Sequence, residues 1–366
     1  MKTLLFRIRN VIGLLGYRIL AKPIFFRFDP EVIHDFFTSV GEFLGSHPVT
    51  RALTRGFFDY SHSALTQSIG NITFKNPVGL AAGFDKNARL MRILPAVGFG
   101  FSEVGTVTGL PCAGNAKPRL WRHAGEQSLR VYYGLKNDGC DVIANRMAGR
   151  IVGIPVGVSI GKTNDVCTVE TGAGIADYLK AYRAFEFIGD YITLNISCPN
   201  AFGGEPFTDA ARLDALLTAI DPIKFNKPHF LKMSPDLSHE ELDAIIAVAT
   251  RHGITGFIST NLTKKHDHGQ GGISGAPIRE VSNAQIKYIY EKTNGQCVII
   301  GCGGIFSAAD AYEKIKNGAS LLELITGMIY EGPSVISEIN RGLVELLEAD
   351  GYTNISQAVG ANCIKS

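Results

Sequence analysis

The sequence has little of what marks a disulfide-bonded, metal-binding or nucleic-acid-binding protein. Its seven cysteines are odd in number and include no C-x-x-C pair, so neither a disulfide framework nor a zinc or iron–sulfur centre is indicated. The formal net charge is only +2 over 366 residues, which argues against a general nucleic-acid-binding protein. His266 and His268 have only Asp267 as an acidic neighbour, so we interpret them as part of a solvated loop and predict no metal site.

A long unbroken apolar run is also missing from the amino-terminal segment, Met1–Ala21. Its basic residues interrupt the run too often for a signal peptide or a membrane-spanning helix. They are Lys2, Arg7, Arg9 and Arg18. The pattern favours an amphipathic helix lying in a membrane interface, and a buried core helix is the alternative. The apolar pattern continues in helical spacing as far as Phe37, and we expect helices to about Phe58.

From Asn76 onward, short apolar runs alternate with amphipathic stretches, which is typical of repeated strand–helix units. Eight strands are predicted, at Val78–Ala82, Phe101–Val107, Val156–Ile160, Tyr191–Ile196, His229–Met233, Gly256–Thr260, Cys297–Gly301 and Ser320–Ile325. Helices are predicted between them at Ala88–Val97, Cys140–Ala148, Gly174–Ile188, Ala210–Ile220, His239–His252 and Ala308–Asn317. A hairpin is predicted just before the first of these strands, where two short runs flank Gly70 and Asn71.

Eight such units over roughly 250 residues predict an α/β fold, a closed (β/α)8 TIM barrel. An open dinucleotide-binding sheet is disfavoured because no G-x-G-x-x-G turn follows the first predicted strand. We therefore expect an amino-terminal helical module over residues 1–67 and the barrel, with the small hairpin, over residues 68–366. In this fold the active site lies at the carboxyl ends of the strands.

Two lysines are predicted at that end of the barrel. Lys86 follows the first strand after the small residues Ala81, Ala82 and Gly83, and a solvated loop charge is the alternative for it. Lys232 lies inside an apolar strand, so its amine must either reach the mouth of the barrel or be paired. The two together suit an electron-rich cofactor or an anionic substrate.

Glycine-rich turns follow three of the later strands. They are Gly272–Gly275, Gly301–Ile305 with Gly303 and Gly304, and Thr326–Gly327. Turns of this kind after the seventh and eighth strands are the usual phosphate-binding site of this fold, because backbone N–H groups point at the ligand. Tight turns alone are the alternative for any one of them, but three at the same end of the barrel favour a phosphate site.

The most specific segment is Asn195–Asn200, which ends the fourth predicted strand. Cys198 lies just past the strand end, where a thiol can transfer a proton or attack a substrate. Asn195 and Asn200 flank it, and Asn261 ends the sixth strand, so several uncharged amides are expected in one mouth. An inert buried cysteine is the general alternative.

These segments together resemble the dihydroorotate dehydrogenase family of FMN-containing barrels. Over nearly its whole length, the chain is similar to the membrane-associated, quinone-linked class 2 branch of that family. In chain order, the segments that carry the resemblance are Phe28–Glu31 with His34, Thr73–Lys86, Lys117–Leu120, Asn195–Asn200, Gly271–Gly275 and Ile300–Ile305.

The resemblance implies oxidation of dihydroorotate to orotate, with electrons passed through FMN to a quinone that enters through the amino-terminal helices. It also implies a peripheral location at a membrane, on the cytoplasmic face in a bacterium, and a role in pyrimidine biosynthesis. Cys198 takes the position of the proton-abstracting base. The substrate-binding positions are Lys86, Asn195, Asn200 and Asn261. The FMN-binding positions are Ala82, Gly83, Lys86, Thr106, Ser159, Lys232, Thr260, Gly275, Gly303, Gly304, Thr326 and Gly327.

Five positions depart from the family pattern. Class 2 members normally carry serine where Cys198 stands, and a thiol is intrinsically the better base. Val131 replaces a substrate-binding asparagine, Leu135 an aromatic residue, Ser159 an FMN-binding asparagine and Ile325 a tyrosine. These last four departures leave an alternative function, that of a related FMN oxidoreductase acting on another cyclic amide or unsaturated substrate. A non-catalytic flavin-binding paralogue is the remaining alternative, and the competent base at Cys198 argues against it.

Overall fold

The computed structural model describes residues 2–363 and begins with a run of helices. Helix α1 is followed by a π-helical turn over Tyr17–Ala21. Asp29 then caps α3 by accepting hydrogen bonds from the backbone N–H groups of Glu31 and Val32, and Pro30 occupies the first helical position. The bounds are α1 Lys2–Gly16, α2 Lys22–Phe25, α3 Pro30–Ser46 and α4 Pro48–Phe58. Helices to Phe58 are as predicted.

The predicted hairpin and all eight predicted barrel strands are confirmed. The hairpin consists of β1 Gln67–Ile69 and β2 Ile72–Phe74. The barrel strands are β3 Val78–Leu80, β4 Phe101–Val107, β7 Val156–Ile160, β8 Tyr191–Asn195, β9 His229–Met233, β10 Gly256–Ser259, β12 Val298–Cys302 and β13 Leu321–Leu324. They pair in parallel in this order, and β13 pairs with β3, so the barrel closes. The fold is therefore the predicted (β/α)8 TIM barrel.

The six predicted barrel helices are present, with ends that differ from the prediction by up to six residues, and three further helices, over Arg279–Lys292, Thr326–Glu331 and Ser334–Ala349, were not predicted. Their bounds are α5 Leu94–Val97, α6 Cys140–Met147, α7 Thr171–Ala184, α8 Ala210–Ile220, α9 His239–Arg251, α10 Arg279–Lys292, α11 Ala308–Lys316, α12 Thr326–Glu331 and α13 Ser334–Ala349. The helix predicted to begin at Ala88 begins only at Leu94. The Asp85 carboxylate accepts the backbone N–H groups of Arg89 and Leu90, which holds this segment in turns.

A second, three-stranded sheet was not predicted. It pairs β5 Leu120–His123 and β11 Gly272–Gly275 antiparallel to the two sides of β6 Ser128–Val131. Its strands have four residues each and lie in the connections that follow β4 and β10, where a short alternating pattern is not distinguishable from a loop. The sheet brings Val131 and Gly275 to the mouth of the barrel.

The barrel interior has an apolar layer at the amino ends of the strands. Gly79 and Gly157 have no side chain there because the rings of Phe101 and Tyr191 occupy the space that a β-carbon would need. The layer consists of Phe74, Phe101, Tyr191, Phe230, Ile258, Ile300 and Leu321. Two residues further along β4, Glu103 begins a polar layer beneath the carboxyl-end mouth.

The amino-terminal helices pack on the barrel but expose many apolar side chains. Arg9 donates to the Ser337 hydroxyl at 2.5 Å and Asn10 donates to Glu338 at 3.1 Å, which anchors α1 on α13. The exposed residues are Leu5, Ile8, Val11, Ile12, Leu15, Ile19, Leu20, Ile24, Phe28, Val32, Phe36, Phe43, Val49, Leu53 and Phe57. Within residues 2–363, no helix is long and apolar enough to cross a membrane.

Candidate active site

A cavity with an empty volume of about 1220 Å³ opens at the carboxyl ends of the barrel strands. Its wall includes every residue singled out from the sequence except Ser159. Those residues are Ala82, Gly83, Lys86, Thr106, Asn195, Cys198, Asn200, Lys232, Thr260, Asn261, Gly275, Gly303, Gly304, Thr326 and Gly327. Residues from seven of the eight barrel strands or the loops after them thus meet in one space, and the cavity also reaches His34 of α3.

Ser159, on the remaining barrel strand β7, is fully buried and lies behind Thr106, whose hydroxyl is 3.0 Å from its own. Asn195 donates to the same Thr106 hydroxyl at 2.8 Å. Asn261 donates to Oδ1 of Asn195 at 3.2 Å and to the Ser197 carbonyl at 2.7 Å. These bonds fix the amide side chains before any ligand arrives, which is the condition for orienting a small polar molecule.

Cys198 is a half-buried residue in the wall of the cavity. Burial among protein atoms raises the pKa of Cys198 to about 11, and the negative charge of Glu205 acts in the same direction. The thiol is therefore protonated at neutral pH. A proton acceptor of this kind works most effectively when the pH approaches its pKa.

Asn200 is held in place by a residue that departs from the family pattern. Its Nδ2 donates to the main-chain carbonyl of Val131 at 2.8 Å. Its Oδ1 is buried and has no hydrogen-bond partner among the described residues. A buried acceptor without a partner is costly, so this atom is ready to accept an N–H group from a ligand.

The Lys86 ammonium lies 4.1 Å from the centroid of the Tyr133 ring. Burial lowers the pKa of Lys86 to about 8, and the like charge of Lys136 adds to this effect. An amine stabilised mainly by a ring face gains from an anionic partner. Lys86 is therefore suited to a carboxylate on a ligand.

Lys232 lines the floor of the cavity, and two acidic residues that were not predicted from the sequence, Glu103 and Glu323, lie beneath it. Its Nζ is 3.5 Å from Oε2 of Glu323. Burial lowers the pKa of Lys232, but the charges of Glu323 and Glu103 outweigh this effect and leave the pKa raised. A signal was present in the sequence, because each glutamate stands inside an apolar strand.

The three predicted glycine-rich turns all reach the cavity, but only one of them is a turn: Gly303 and Gly304 lie in the loop after β12, whereas Gly272–Gly275 is strand β11 and Thr326 begins α12. Gly304 adopts φ +72°, and a β-carbon on Gly327 would lie 1.9 Å from the Ile305 carbonyl, so side chains are excluded from these positions. The Thr326 hydroxyl is 2.8 Å from that of Ser274 on β11. Two hydroxyls and a close-packed backbone turn suit a phosphate group.

Where the cavity meets α3, a buried ion-pair cluster joins the amino-terminal helices to the barrel. Arg119 donates to both carboxylate oxygens of Glu31, at 2.8 and 3.1 Å, and Lys136 lies 3.3 Å from the same carboxylate. Burial raises the pKa of Glu31, but these cations outweigh it and bring the pKa to about 2. Glu31 and Arg119 belong to two separate motifs of the sequence, and neither motif predicts that the two side chains meet.

His266 and His268 lie in the loop before β11, as expected. The His268 ring stacks on His123 with centroids 4.1 Å apart, and its Nε2 is 3.1 Å from Glu126. These contacts are made outside the cavity wall.

The residues present fit the flavin that the resemblance implies. The largely apolar wall of the cavity suits the planar flavin ring. The Lys232 ammonium on the floor suits a ring that gains negative charge on reduction. The hydroxyls of Thr326 and Ser274 and the glycine-rich backbone near them suit the phosphate. Cys198 and Asn200 line the same cavity.

Comparison with known proteins agrees with this geometry. The profile of the family described as dihydroorotate dehydrogenase matches residues 64–347. A relative from Gloeobacter violaceus named dihydroorotate dehydrogenase (quinone) is 39% identical over 349 residues, which cover 93% of this chain and 98% of that protein. A relative of the same name from Natronomonas pharaonis is 38% identical over 95% of this chain and 100% of its own length.

The solved structures give the same result. A crystal structure of DHODH from Eimeria tenella in complex with ferulenol superimposes with a TM-score of 0.83 at 32% identity, covering 91% of this chain and 96% of that one. The ligand-free structure from the same organism gives a TM-score of 0.81 over 92% of this chain. Since the family profile, the sequence relatives and the solved structures all agree, this chain belongs to the dihydroorotate dehydrogenase family.

Proposed function

We propose that this protein oxidises dihydroorotate to orotate with FMN as its cofactor and a membrane quinone as the electron acceptor, a step of pyrimidine biosynthesis. The observation that carries the proposal is the meeting of three groups in one cavity: the thiol of Cys198, the unpaired Oδ1 of Asn200 and the amine of Lys86. They supply a base, a hydrogen-bond acceptor and a cation, which match the acidic C–H, the ring N–H and the carboxylate of dihydroorotate.

FMN would supply an acceptor for the hydride from C6 of the substrate and a carrier for the two electrons that reach the quinone. Lys232 and Thr106 would hold its ring, and Thr326 with the Gly303–Gly304 turn would hold its phosphate. Ser159 would act on it through Thr106, to which its hydroxyl is bonded. The remaining contacts would come from the close-approach and strand-end positions, Ala82, Gly83, Lys86, Thr260, Gly275 and Gly327.

The substrate would lie between the ring and Cys198. Lys86 would bind its carboxylate, and Asn200 would accept a ring N–H at Oδ1. Asn195 would present its second amide N–H to a carbonyl oxygen of the ring, and Asn261 would hold Asn195 in place beside the substrate, because both of its own side-chain N–H groups are bonded to Asn195 and Ser197. The Cys198 thiol would first lose its own proton to solvent, and the thiolate would then take the C5 proton. The pKa of about 11 makes the thiolate a strong acceptor and a minor species at neutral pH.

We further propose that residues 1–67 form the membrane-binding module and the quinone entrance. The exposed apolar side chains on α1, α3 and α4 offer a surface for insertion into a lipid interface, and Arg7 adds attraction to anionic lipid. The cavity reaches His34, so a quinone bound between α3 and the barrel would approach the same site. This arrangement gives a peripheral membrane protein.

The test is flavin bleaching under anaerobic conditions with a panel of substrates. Dihydroorotate should bleach the FMN of the purified protein rapidly, and an uncharged cyclic amide of the same ring size should do so slowly. In Lys86→Met the preference for the charged substrate should fall by about 10–100-fold, because a hydrogen bond to a charged group contributes about 1.5–3 kcal/mol.

Val131 and Leu135 favour a second candidate, a related FMN oxidoreductase acting on another cyclic amide or unsaturated substrate. Faster bleaching by a member of the panel other than dihydroorotate would establish it. Bleaching by none of them, in a protein that retains FMN, would instead indicate a flavin-binding protein without this catalysis.

A further inference from the structure

Two carboxylates and one ammonium lie together in the barrel interior beneath the candidate flavin site. Glu103 on β4 and Glu323 on β13 are completely buried, and Lys232 on β9 is 5% exposed. Lys232 Nζ is 3.5 Å from Oε2 of Glu323, and the Thr193 hydroxyl donates to Oε2 of Glu103 at 2.6 Å. The Oε1 atoms of both glutamates have no hydrogen-bond partner among the described residues.

The charges of these three groups do not balance if all are ionised. One ammonium against two carboxylates leaves a net negative charge on groups that are buried in the barrel, which is strongly unfavourable. Burial raises the pKa of Glu323, and the like charge of Glu103 raises it further. The pKa of Glu103 is raised by burial as well. One retained proton removes the imbalance.

The other titratable groups facing this cluster do not supply the missing positive charge. Tyr191 lies below the carboxylates and Cys302 beside Lys232, and burial raises the pKa of both groups, so both are neutral. Lys314 approaches Cys302 from outside the barrel, where its Nζ is bonded to Ser282 and Asn283.

We propose that Glu103 and Glu323 share one proton and together act as a positioning pair for Lys232, so that the floor of the flavin site carries no net charge until this proton is released at alkaline pH. Neither glutamate lines the cavity. Their effect on FMN is therefore exerted through Lys232, and that part of the inference rests on the proposed cofactor. The shared proton is a property of the protein alone.

The first experiment is infrared difference spectroscopy on the purified full-length holoprotein in light and heavy water. The wild type should show the C=O stretch of a protonated carboxyl group, and both Glu103→Gln and Glu323→Gln should lose it, because the remaining carboxylate is then balanced by Lys232. Absence of the band in the wild type, or its persistence in either variant, would overturn the proposal. Glu331→Gln is the matched control, since Glu331 is a buried carboxylate paired with Arg18, and this variant should keep the band.

Asp85 is a third buried carboxyl group with a raised pKa, because burial outweighs the hydrogen bonds that it accepts from backbone N–H groups. A C=O band from Asp85 would be present in the wild type and in all variants, so it cancels when the spectrum of a variant is subtracted from that of the wild type. If neither glutamine variant folds, Thr193→Val removes only the hydroxyl bonded to Glu103 and should shift the band. An unchanged band in that variant would count against the shared proton.

The second experiment measures the flavin reduction potential against pH, without substrate. Release of the shared proton places a negative charge below the ring, so the wild-type potential should fall more steeply at alkaline pH than it does in Glu323→Gln. Identical slopes in the two proteins would overturn the positioning role. Failure to bind FMN at all would instead contradict the proposed function. The infrared experiment would still test the shared proton, because that proton does not depend on the cofactor.

Discussion

Asn200 donates its side-chain N–H to the main-chain carbonyl of Val131 across 2.8 Å, so the segment after β8 is tied to β6 over the cavity. Any residue at position 131 supplies that carbonyl. The replacement of a polar residue by valine therefore removes a side-chain amide from the pocket without releasing Asn200. What changes is the wall of the pocket, while the acceptor at Oδ1 of Asn200 stays in place.

The Asn200–Val131 bond predicts the effect of Asn200→Asp. The aspartate cannot donate, so a carboxylate would face the Val131 carbonyl and turn away from the cavity. We expect the KM for substrate to rise by about 5–150-fold, corresponding to the 1–3 kcal/mol of an unsatisfied buried group. Steady-state kinetics will measure it, with FMN content as the check that the cofactor site is intact. An unchanged KM would show that Oδ1 of Asn200 does not bind substrate.

Cys198→Ala should slow flavin reduction by about 10²–10⁴-fold without loss of FMN, since general-base help is typically of this size. Because the pKa of Cys198 is about 11, the wild-type rate should rise with pH through the neutral and mildly alkaline range. Cys198→Ser should keep more activity than the alanine variant and shift the rise to still higher pH, because a hydroxyl ionises less readily than a thiol.

Anaerobic stopped-flow reduction across pH measures all three proteins. Cys363→Ala is the control, since the Cys363 thiol donates to the Asn317 carbonyl away from the cavity, and it should reduce at the wild-type rate. Reduction of Cys198→Ala at the wild-type rate would place the base elsewhere.

Glu31→Gln should destabilise the docking of α3 by about 3–5 kcal/mol, because it leaves Arg119 as a buried cation without its anion. Glu42→Gln on the same helix is the matched control. Its pair with Arg89 is exposed and should contribute less than about 1 kcal/mol. Thermal unfolding followed by circular dichroism will compare them.

The pH dependence of this difference has a definite sign. The pKa of Glu31 falls from its ordinary 4.5 to about 2 in the folded protein, so the carboxylate stabilises the fold above pH 4.5 and this contribution is lost as the pH falls toward 2. The difference in the free energy of unfolding between wild type and Glu31→Gln should therefore become smaller as the pH falls from 4.5 toward 2. A difference that stays constant would mean that the charge of Glu31 is not what holds α3.

Replacing Ile12 and Leu20 with glutamate should weaken binding to anionic liposomes, because both side chains are about two thirds exposed and would no longer enter the lipid interface. Ile151→Glu is the control, since Ile151 is 97% exposed but lies in the loop before β7, at the opposite end of the barrel from the cavity. Co-sedimentation with vesicles will measure binding. If Ile151→Glu lost as much liposome binding, binding would depend on exposed apolar area in general and not on the amino-terminal helices.

The barrel was predictable from the sequence because each buried strand is a short apolar run and the predicted helices between them are amphipathic stretches. The strand-end residues were predictable for the same reason, since parallel strands place their carboxyl ends at one edge. Cys198 and Lys232 could therefore be assigned to one mouth before any contact was known.

Other features depended on pairs of residues distant in the chain, and local patterns do not report such pairs. One such feature is the short β5–β6–β11 sheet. Two others are the ion pair of Glu31 with Arg119, 88 positions apart in the chain, and that of Lys232 with Glu323, 91 positions apart. A fourth is the bond from Asn200 to the Val131 carbonyl, because a main-chain acceptor leaves no mark in the sequence. The sequence by itself determined the barrel and the strand-end residues that reach the site. The tertiary structure decided the contribution of the second sheet, the charge balance and the hydrogen-bond partners, because electrostatic and hydrogen-bond energies depend on distances that only the folded chain sets.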